Sequence, residues 1–163
     1  GQERTRWFCN VAEAGFGGAL IRAAGPRAGR VATLLGFWRT LASYAPPRSH
    51  VAVDERTYDG PVTNLVVANG QFVQDGRPVA PRAHPGDGKF DVLIAKGTKR
   101  EYVETLTKMP KGFHLPSPTI REYMAATVSI ETRVPVPVGA DGVPVGETPA
   151  SFTLHPSALR LKI

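Results

Sequence analysis

A glycine-rich segment near the start of the chain is the first place where the residue types could do chemistry. Residues 13–18 contain three glycines, and the backbone amides of such a segment can bind a phosphate group. However, the segment has neither the spacing of the dinucleotide fingerprint nor the lysine of the nucleotide phosphate loop. We therefore predict a tight turn or a close approach of two backbone segments here, rather than a nucleotide site.

The cysteine and histidine residues do not have the spacing of a disulfide or zinc site. The chain has one cysteine, Cys9, so no internal disulfide bond can form. Cys9 ends an apolar run, which predicts a buried, inert thiol, although a lone cysteine can also be a nucleophile. His84, His114 and His155 are too dispersed for a zinc site. A single cysteine is typical of a reducing compartment, so we expect a cytoplasmic protein.

Two segments have the apolar spacing of a helix. Residues 28–44 form the first, and we expect its stripe to pack on a sheet; the alternative is a basic amphipathic face at lipid headgroups. The second is predicted over 98–109, where Thr98 and Glu101 have the spacing of a capping box. The apolar stripe of the first helix consists of Val31, Leu34, Leu35, Trp38, Leu41 and Ala42.

Most of the remaining chain reads as short strands separated by turn residues. Asp59-Gly60 predicts a hairpin turn, and Asp141-Gly142 predicts another turn. Because about eight to ten strands outnumber the helices without alternating with them, a doubly wound parallel sheet is disfavoured. We predict a mainly β (α+β) fold, an antiparallel β-sandwich or open barrel with two attached helices. The predicted strands cover 4–10, 50–54, 61–68, 90–95, 125–138 (a strand pair), 150–154 and 158–163.

Length and charge restrict the class of protein. A chain of 163 residues fits one domain, so we predict a single domain over residues 1–163. No run approaches the roughly 20 apolar residues that span a bilayer. The net charge of +6 is compatible with nucleic acid, an anionic membrane or phosphorylated ligands. The basic residues are scattered and do not alternate with aromatic residues, so we expect no nucleic-acid partner.

Four motifs occur in order along nearly the whole chain, and together they resemble a known family. The motifs are Asn10-x-x-x-x-Gly15-Phe16, then Asn69-Gly70 with Ala80-Pro81-Arg82-Ala83 and Asp87-Gly88-Lys89-Phe90-Asp91, then Gly112-Phe113-His114, and finally Asp141-Gly142 with Pro156-Ser157-Ala158-Leu159-Arg160. Their order and spacing resemble the C-terminal domain of bacterial lipid kinases of the diacylglycerol kinase and sphingosine kinase family.

The resemblance implies a β-sandwich domain that packs against a separate N-terminal ATP-binding domain, whose Gly-Gly-Asp-Gly-Thr signature is absent from this chain. It also implies transfer of a phosphoryl group from ATP to a lipid hydroxyl, which requires positioning, a metal and a proton acceptor. The family's proton acceptor is the Glu of Asp-Gly-Glu, and Val143 stands at that position. We expect that Asp141 or Glu147 substitutes as the catalytic carboxylate, or that catalysis has been lost.

The resemblance further implies a metal site at the Asp-Gly turn that precedes Phe90. Its ligands would be the carboxylate of Asp87 and the backbone carbonyls of His84 and Lys89, a set of hard oxygen atoms that suits weakly bound Mg²⁺. The alternative is a plain Gly-Asp-Gly turn without an ion. ATP would bind only through the N-terminal domain that this chain lacks.

Three functions remain as alternatives. The first is the acceptor-lipid and interdomain half of a diacylglycerol-kinase-like enzyme, with a lipid substrate and peripheral contact with the anionic inner face of a membrane. The second is a lipid-binding pseudokinase module, which Val143 favours. The third is an unrelated β-sandwich adhesion or nucleic-acid module. Under the first, we expect the isolated chain to be inactive and to expose an apolar surface where the other domain docks, which would also allow a homodimer.

Overall fold

A computed structural model describes residues 5–24, 30–73 and 76–158, which form two antiparallel β-sheets and three α-helices. The strands are β1 (Val11–Gly15), β2 (Arg48–Val53), β3 (Arg56–Pro61), β4 (Asn64–Ala68), β5 (Phe90–Ala95), β6 (Ile120–Ala125), β7 (Thr127–Thr132), β8 (Pro137–Ala140), β9 (Val143–Glu147) and β10 (Ala150–Thr153). The helices are α1 (Phe16–Ala24), α2 (Arg30–Ser43) and α3 (Lys99–Lys108), and a 3-10 turn (Met109–Lys111) follows α3.

The two sheets confirm the predicted β-rich sandwich. One has the strand order β6-β5-β4-β1-β8-β9 and the other β10-β7-β2-β3, and the two stay separate rather than closing into a barrel. The chain changes sheets between β6 and β7 at the single residue Ala126. The carboxylate of Asp54 accepts hydrogen bonds from the amides of Ala126 and Thr127, which holds this crossing. These bonds, the Thr127 amide first, lower the pKa of the Asp54 carboxyl.

The central strands of the six-stranded sheet, such as β5, are apolar on both faces because each face is covered. In β5, the side chains of Phe90, Val92 and Ile94 lie in the core between the sheets, and those of Leu93 and Ala95 lie in a second core beneath the helices. This double burial explains why the sequence of β5 is a nearly continuous apolar run. The strand predicted over 90–95 is confirmed.

The glycine-rich segment is a strand-to-helix junction rather than a tight turn. β1 ends at Gly15 and α1 begins at Phe16, so α1 is a helix that the sequence pattern did not predict. The predicted close backbone approach is confirmed, because a Cβ atom at Gly18 would lie 2.1 Å from the carbonyl oxygen of Pro137. Glycine is a poor helix former, which hides α1 from sequence patterns.

The two predicted helices are present, but the orientation expected for α2 is wrong. α3 has its capping box, in which Thr98 and Glu101 each accept a hydrogen bond from the other's backbone amide. In α2, the ring of Phe37 turns inward onto Phe16, at 6.1 Å between ring centroids. The expected inward stripe is instead exposed at Val31, Leu34, Leu35 and Trp38.

Several other predictions are wrong at the ends of strands. The strand expected over 4–10 begins only at Val11, and Cys9 is exposed rather than buried. Asp59-Gly60 lies inside β3, because the hairpin turn is at Asp54, which takes a positive φ of +48°. β4 begins at Asn64, so the strand expected over 61–68 is shorter.

The strand pair expected over 125–138 is also divided differently. It covers β7 and the start of β8, which belong to different sheets, and it misses β6. The strand over 150–154 is confirmed as β10, whereas that over 158–163 falls largely outside the described residues. In the described ranges, no helix is both long enough and apolar enough to cross a lipid bilayer.

Candidate functional site

The β8–β9 hairpin carries the residues to which the resemblance assigns proton transfer. Asp141 and Gly142 form its turn with φ values of +46° and +72°, a conformation that these two residue types tolerate well. Val143 is the first residue of β9, and its side chain is 49% exposed. An acidic side chain at position 143 would therefore reach solvent at the start of the strand.

The carboxylate of Asp141 ties this turn to the beginning of β1. It accepts hydrogen bonds from the backbone amides of Cys9, Asn10 and Val11 at 2.8, 3.0 and 3.0 Å. The amide of Asp141 also donates to the carbonyl of Val11 at 2.9 Å. Both carboxylate oxygens thus accept backbone amides, which accounts for the aspartate as a structural residue.

Glu147 lies at the opposite end of the hairpin from Asp141. It pairs with Pro137 in the β8–β9 register, whereas Val143 pairs with Ala140 beside the turn. Val143 and Glu147 are four positions apart along β9, or about 13 Å at ~3.3 Å per residue. Glu147 instead forms an ion pair with Arg22 of α1 at 2.7 Å. The structure therefore does not bring Asp141 and Glu147 into one site.

The turn at residues 84–89 is closed by its own hydrogen bonds. The Asp87 amide donates to the carbonyl oxygen of His84 at 3.2 Å, and Oδ1 of Asp87 accepts from the Lys89 amide at 2.9 Å. Gly88 supplies the positive φ, +75°, that the turn needs. The Asp87 carboxylate and the His84 carbonyl, two of the three expected ligands, therefore lie in one short turn.

Asp91 lies beside this turn and was given no role from the sequence. Its Oδ2 atom is buried and has no hydrogen-bond partner in the described structure. Burial, then the charges of Asp87 and Glu122, raise the pKa of the Asp91 carboxyl, and the charge of Arg82 opposes them. An orphaned carboxylate oxygen next to Asp87 fits a cation, which would offset the repulsion between the carboxylates.

A cleft of about 970 Å³ extends from Asp91 around the edge strand β6. Charged side chains of both signs line it, among them Arg82, whose guanidinium is 3.6 Å from the carboxylate of Glu122. The guanidinium of Arg56 lies 5.9 Å from the ring centre of Tyr123. Only the pairing of β5 with β6 brings Glu122 near Asp91, so the sequence motif that contains Asp91 could not reveal the cleft.

The comparison with protein families decides where the domain belongs. Residues 17–163 match the family described as the YegS C-terminal NAD kinase beta sandwich-like domain. The chain belongs to this family. It is thus a C-terminal domain of the diacylglycerol-kinase-like lipid kinases, as its motifs indicated.

Individual relatives of this YegS C-terminal domain are longer proteins. YtlR of Bacillus subtilis (strain 168), named as a lipid kinase, is 31% identical over 100 residues, covering 60% of this chain and 32% of YtlR. A Shewanella frigidimarina protein named as a YegS-like lipid kinase is 22% identical over 160 residues, 94% of this chain and 51% of the relative.

A solved structure from Bacillus anthracis str. Sterne, described as a diacylglycerol kinase, superimposes with a TM-score of 0.66 at 20% identity. The superposition covers 91% of this chain and 50% of that one, and it supports the fold. The chain therefore matches between about a third and a half of the length of each of these three proteins.

Proposed function

We propose that this domain is the acceptor-lipid and interdomain half of an ATP-dependent, diacylglycerol-kinase-like enzyme that transfers the γ-phosphoryl group of ATP to a lipid hydroxyl. The observation that carries the proposal is the family match over residues 17–163, together with relatives that are named lipid kinases and are about twice as long. A separate N-terminal domain would bind ATP. The whole enzyme would be cytoplasmic and would contact the anionic inner face of a membrane to reach its substrate.

The turn at residues 84–89 is the proposed cation site. Asp87, with the backbone carbonyls of His84 and Lys89, would hold Mg²⁺, and the half-buried Asp91, whose Oδ2 atom has no hydrogen-bond partner in the described structure, would add negative charge nearby. When bound, such an ion would offset negative charge near the junction with the ATP-binding domain. With so few protein ligands the ion would bind weakly and keep several water molecules.

The β8–β9 hairpin would accept the hydroxyl proton poorly. Val143 cannot accept a proton, the Asp141 carboxylate is engaged with three amides, and Glu147 lies at the far end of β9 in an ion pair. We therefore propose a slow kinase. The same observations favour one alternative, a lipid-binding pseudokinase module that holds a lipid without phosphorylating it.

The test is made in a full-length protein that joins this domain to its ATP-binding half. A positioned general base contributes roughly a hundredfold to ten-thousandfold in rate, so Val143→Glu should raise phosphate transfer from ATP to diacylglycerol at least about tenfold. Asp141→Asn should lower residual activity if Asp141 has taken over the role. Circular dichroism of each variant checks that the fold is intact.

The outcomes separate the alternatives. Slow transfer that rises in Val143→Glu supports the kinase, and lipid binding without transfer in either protein supports the pseudokinase. A parent enzyme that is already fast, is unaffected by Val143→Glu and is crippled by Glu147→Gln would show that the base is Glu147 and that the assignment of position 143 is wrong.

A further inference from the structure

Helix α2 has apolar side chains on two opposite faces. Its inner face packs on α1 through Phe37, whose ring meets Phe16, and carries the buried Thr40. Its outer face exposes four large apolar side chains to solvent. These are Val31, Leu34, Leu35 and Trp38, exposed by 73, 57, 66 and 59%. A surface helix normally turns its apolar stripe toward the core, so the outer stripe needs a separate explanation.

The outer residues form one continuous stripe. Their positions, i, i+3, i+4 and i+7, place them on the same side of the helix over two turns. The other large exposed apolar residues of the described structure, such as Met124 and Val134, lie outside α2 and do not form a helical stripe. Isolated apolar residues are normal on a surface, whereas a contiguous apolar stripe marks an interaction site.

The charges of α2 indicate the chemistry of the partner. Between Arg30 and Ser43 the helix has two arginines and no aspartate or glutamate. Arg39 is exposed and follows Trp38 directly. At the end of the helix, Nζ of Lys99 donates to the carbonyl of Leu41 at 3.0 Å, which adds a cation there. The partner must therefore accept apolar side chains and supply negative charge at their edges.

A second copy of the chain fits this requirement poorly. In a two-fold dimer through this face, the exposed Arg39 of each copy would meet the α2 of the other, which has no acidic residue to pair with it. An anionic lipid surface supplies both elements, because the acyl region accepts the apolar stripe and the headgroup phosphates bind the arginines.

We propose that the outer face of α2 docks this domain on an anionic membrane surface, with Val31, Leu34, Leu35 and Trp38 inserted below the headgroups and Arg39 at the level of the phosphates. The inference rests on the proposed function, since a membrane is where a lipid kinase meets its substrate. It refers to binding alone and can be measured without nucleotide or catalysis.

The first experiment measures binding by the 163-residue chain. Vesicles of phosphatidylglycerol and phosphatidylcholine should co-sediment with the protein, and vesicles of phosphatidylcholine alone should retain much less. Trp7 is also exposed, so Trp7→Phe isolates the fluorescence of Trp38. That emission should shift to the blue with anionic vesicles, and brominated acyl chains should quench it. An absence of binding, or Trp38 emission that does not change on binding, would overturn the inference.

Matched variants locate the surface. Leu35→Glu should weaken vesicle binding at least about tenfold, and Arg39→Glu roughly fivefold or more with a reduced salt dependence. Val134→Glu is the control, because Val134 is 63% exposed, close to the value for Leu35, but follows β7 rather than lying on α2. Circular dichroism of Leu35→Glu checks the fold. Leu34→Ser, which introduces a smaller and uncharged polar side chain on the same face, gives a second test. Equal effects of Leu35→Glu and Val134→Glu would contradict the inference.

Other occupants of the face have distinct signatures. If Leu35→Glu converts a dimer to a monomer in sedimentation velocity without changing vesicle binding, the face joins two copies and the inference is wrong. If Leu35→Glu in the full-length protein separates the two domains, the face is interdomain and the inference is also wrong. If a full-length protein phosphorylates lipid but does not bind anionic vesicles, the docking surface is refuted and the proposed function is still supported.

Discussion

Asn64 shows how much one buried side chain contributes to the arrangement around α1. Its Oδ1 accepts from the Gly17 amide at 2.8 Å, and its Nδ2 donates to Oε1 of Glu13 at 3.0 Å and to the hydroxyl of Tyr102 at 2.8 Å. Burial raises the pKa of Tyr102 well above its usual value, so its hydroxyl stays protonated. One amide thus connects β4 to β1, α1 and α3.

We expect Asn64→Ala to lower the free energy of unfolding by about 2–4 kcal/mol, because it leaves several buried polar groups without partners. Urea unfolding followed by circular dichroism measures the change. Asn69→Ala is the control, since the half-buried Asn69 donates to the Cys9 carbonyl, and we expect a loss of about 1 kcal/mol or less. Equal losses of unfolding free energy in the two variants would show that the hydrogen bonds of Asn64 stabilise the fold no more than that of Asn69.

His50 is the residue for which the structure predicts a pH dependence. Its Nδ1 lies 2.7 Å from the carboxylate of Asp59, and this bond, followed by the charges of Asp59 and Glu131, raises the pKa of His50. A histidine whose pKa is raised in the folded state stabilises the fold. This stabilisation is complete when the pH is below the pKa of the histidine in the unfolded chain, about 6.5. That contribution is lost as the pH rises through the raised value.

We expect Asp59→Asn to lower the pKa of His50 toward its ordinary value, as measured by the proton NMR shifts of the imidazole ring. Glu131→Gln should lower it less, because Glu131 acts only through its charge. His50→Gln identifies the signal among the four histidines of the chain. If Asp59→Asn does not change the pKa of His50, the ion pair between the two residues does not persist in solution.

At the scale of elements, the position of α1 depends on a close contact with β8, which a glycine at position 18 allows. The Cα of Gly18 sits where an added Cβ would be 2.1 Å from the carbonyl oxygen of Pro137 and 3.1 Å from that of Glu13. Both obstacles are backbone atoms, which cannot move aside as a flexible side chain can. Helix α1 in turn supports α2 through Phe16, so its position also sets the outer face of α2.

We predict that Gly18→Ala lowers the free energy of unfolding by at least about 2 kcal/mol, although alanine favours a helix, because the helix must shift away from β8. Gly146→Ala is the matched control, since its added Cβ would meet no atom within 4 Å. Thermal unfolding of both variants measures the difference. A Gly18→Ala protein as stable as Gly146→Ala would show that α1 packs less closely than described.

At the scale of the molecule, the chain has the fold of the C-terminal domain of diacylglycerol-kinase-like lipid kinases. The described residues contain no cluster of three or more histidine, cysteine, aspartate or glutamate side chains that could bind a metal. The Mg²⁺ proposed at Asp87 would thus depend on that one carboxylate together with backbone carbonyls and water. Under the proposed function, nucleotide binding would belong to a separate N-terminal domain that carries the Gly-Gly-Asp-Gly-Thr signature, which this sequence does not contain.

We therefore predict that the isolated chain neither binds ATP tightly nor phosphorylates diacylglycerol. Isothermal titration calorimetry with ATP and Mg²⁺ should give no affinity in the micromolar range, while cooperative thermal unfolding shows that the protein is folded. A longer protein that joins the chain to the proposed ATP-binding domain should bind the nucleotide. Micromolar binding of ATP by the folded isolated chain would contradict the assignment of the nucleotide site to a separate domain.

Features with local causes could be predicted from the sequence. The capping box of α3, the turn at Asp141-Gly142, the apolar run of β5 and the extent of α2 each depend on residues within a few positions of one another. The order of the motifs likewise indicated the family. Each of these features depends on residues that are close in the sequence. It can therefore be predicted without knowing which distant segment the residues will contact.

Only the tertiary structure decided the features that depend on distant partners. The Asp141 carboxylate binds amides about 130 positions away, and Glu122 comes beside Asp91 through the pairing of β6 with β5. The inward face of α2 is set by the ring of Phe16, although the apolar spacing pointed to the opposite face. An amphipathic pattern shows that a helix has an apolar side, but packing determines whether that side meets the protein core or another surface.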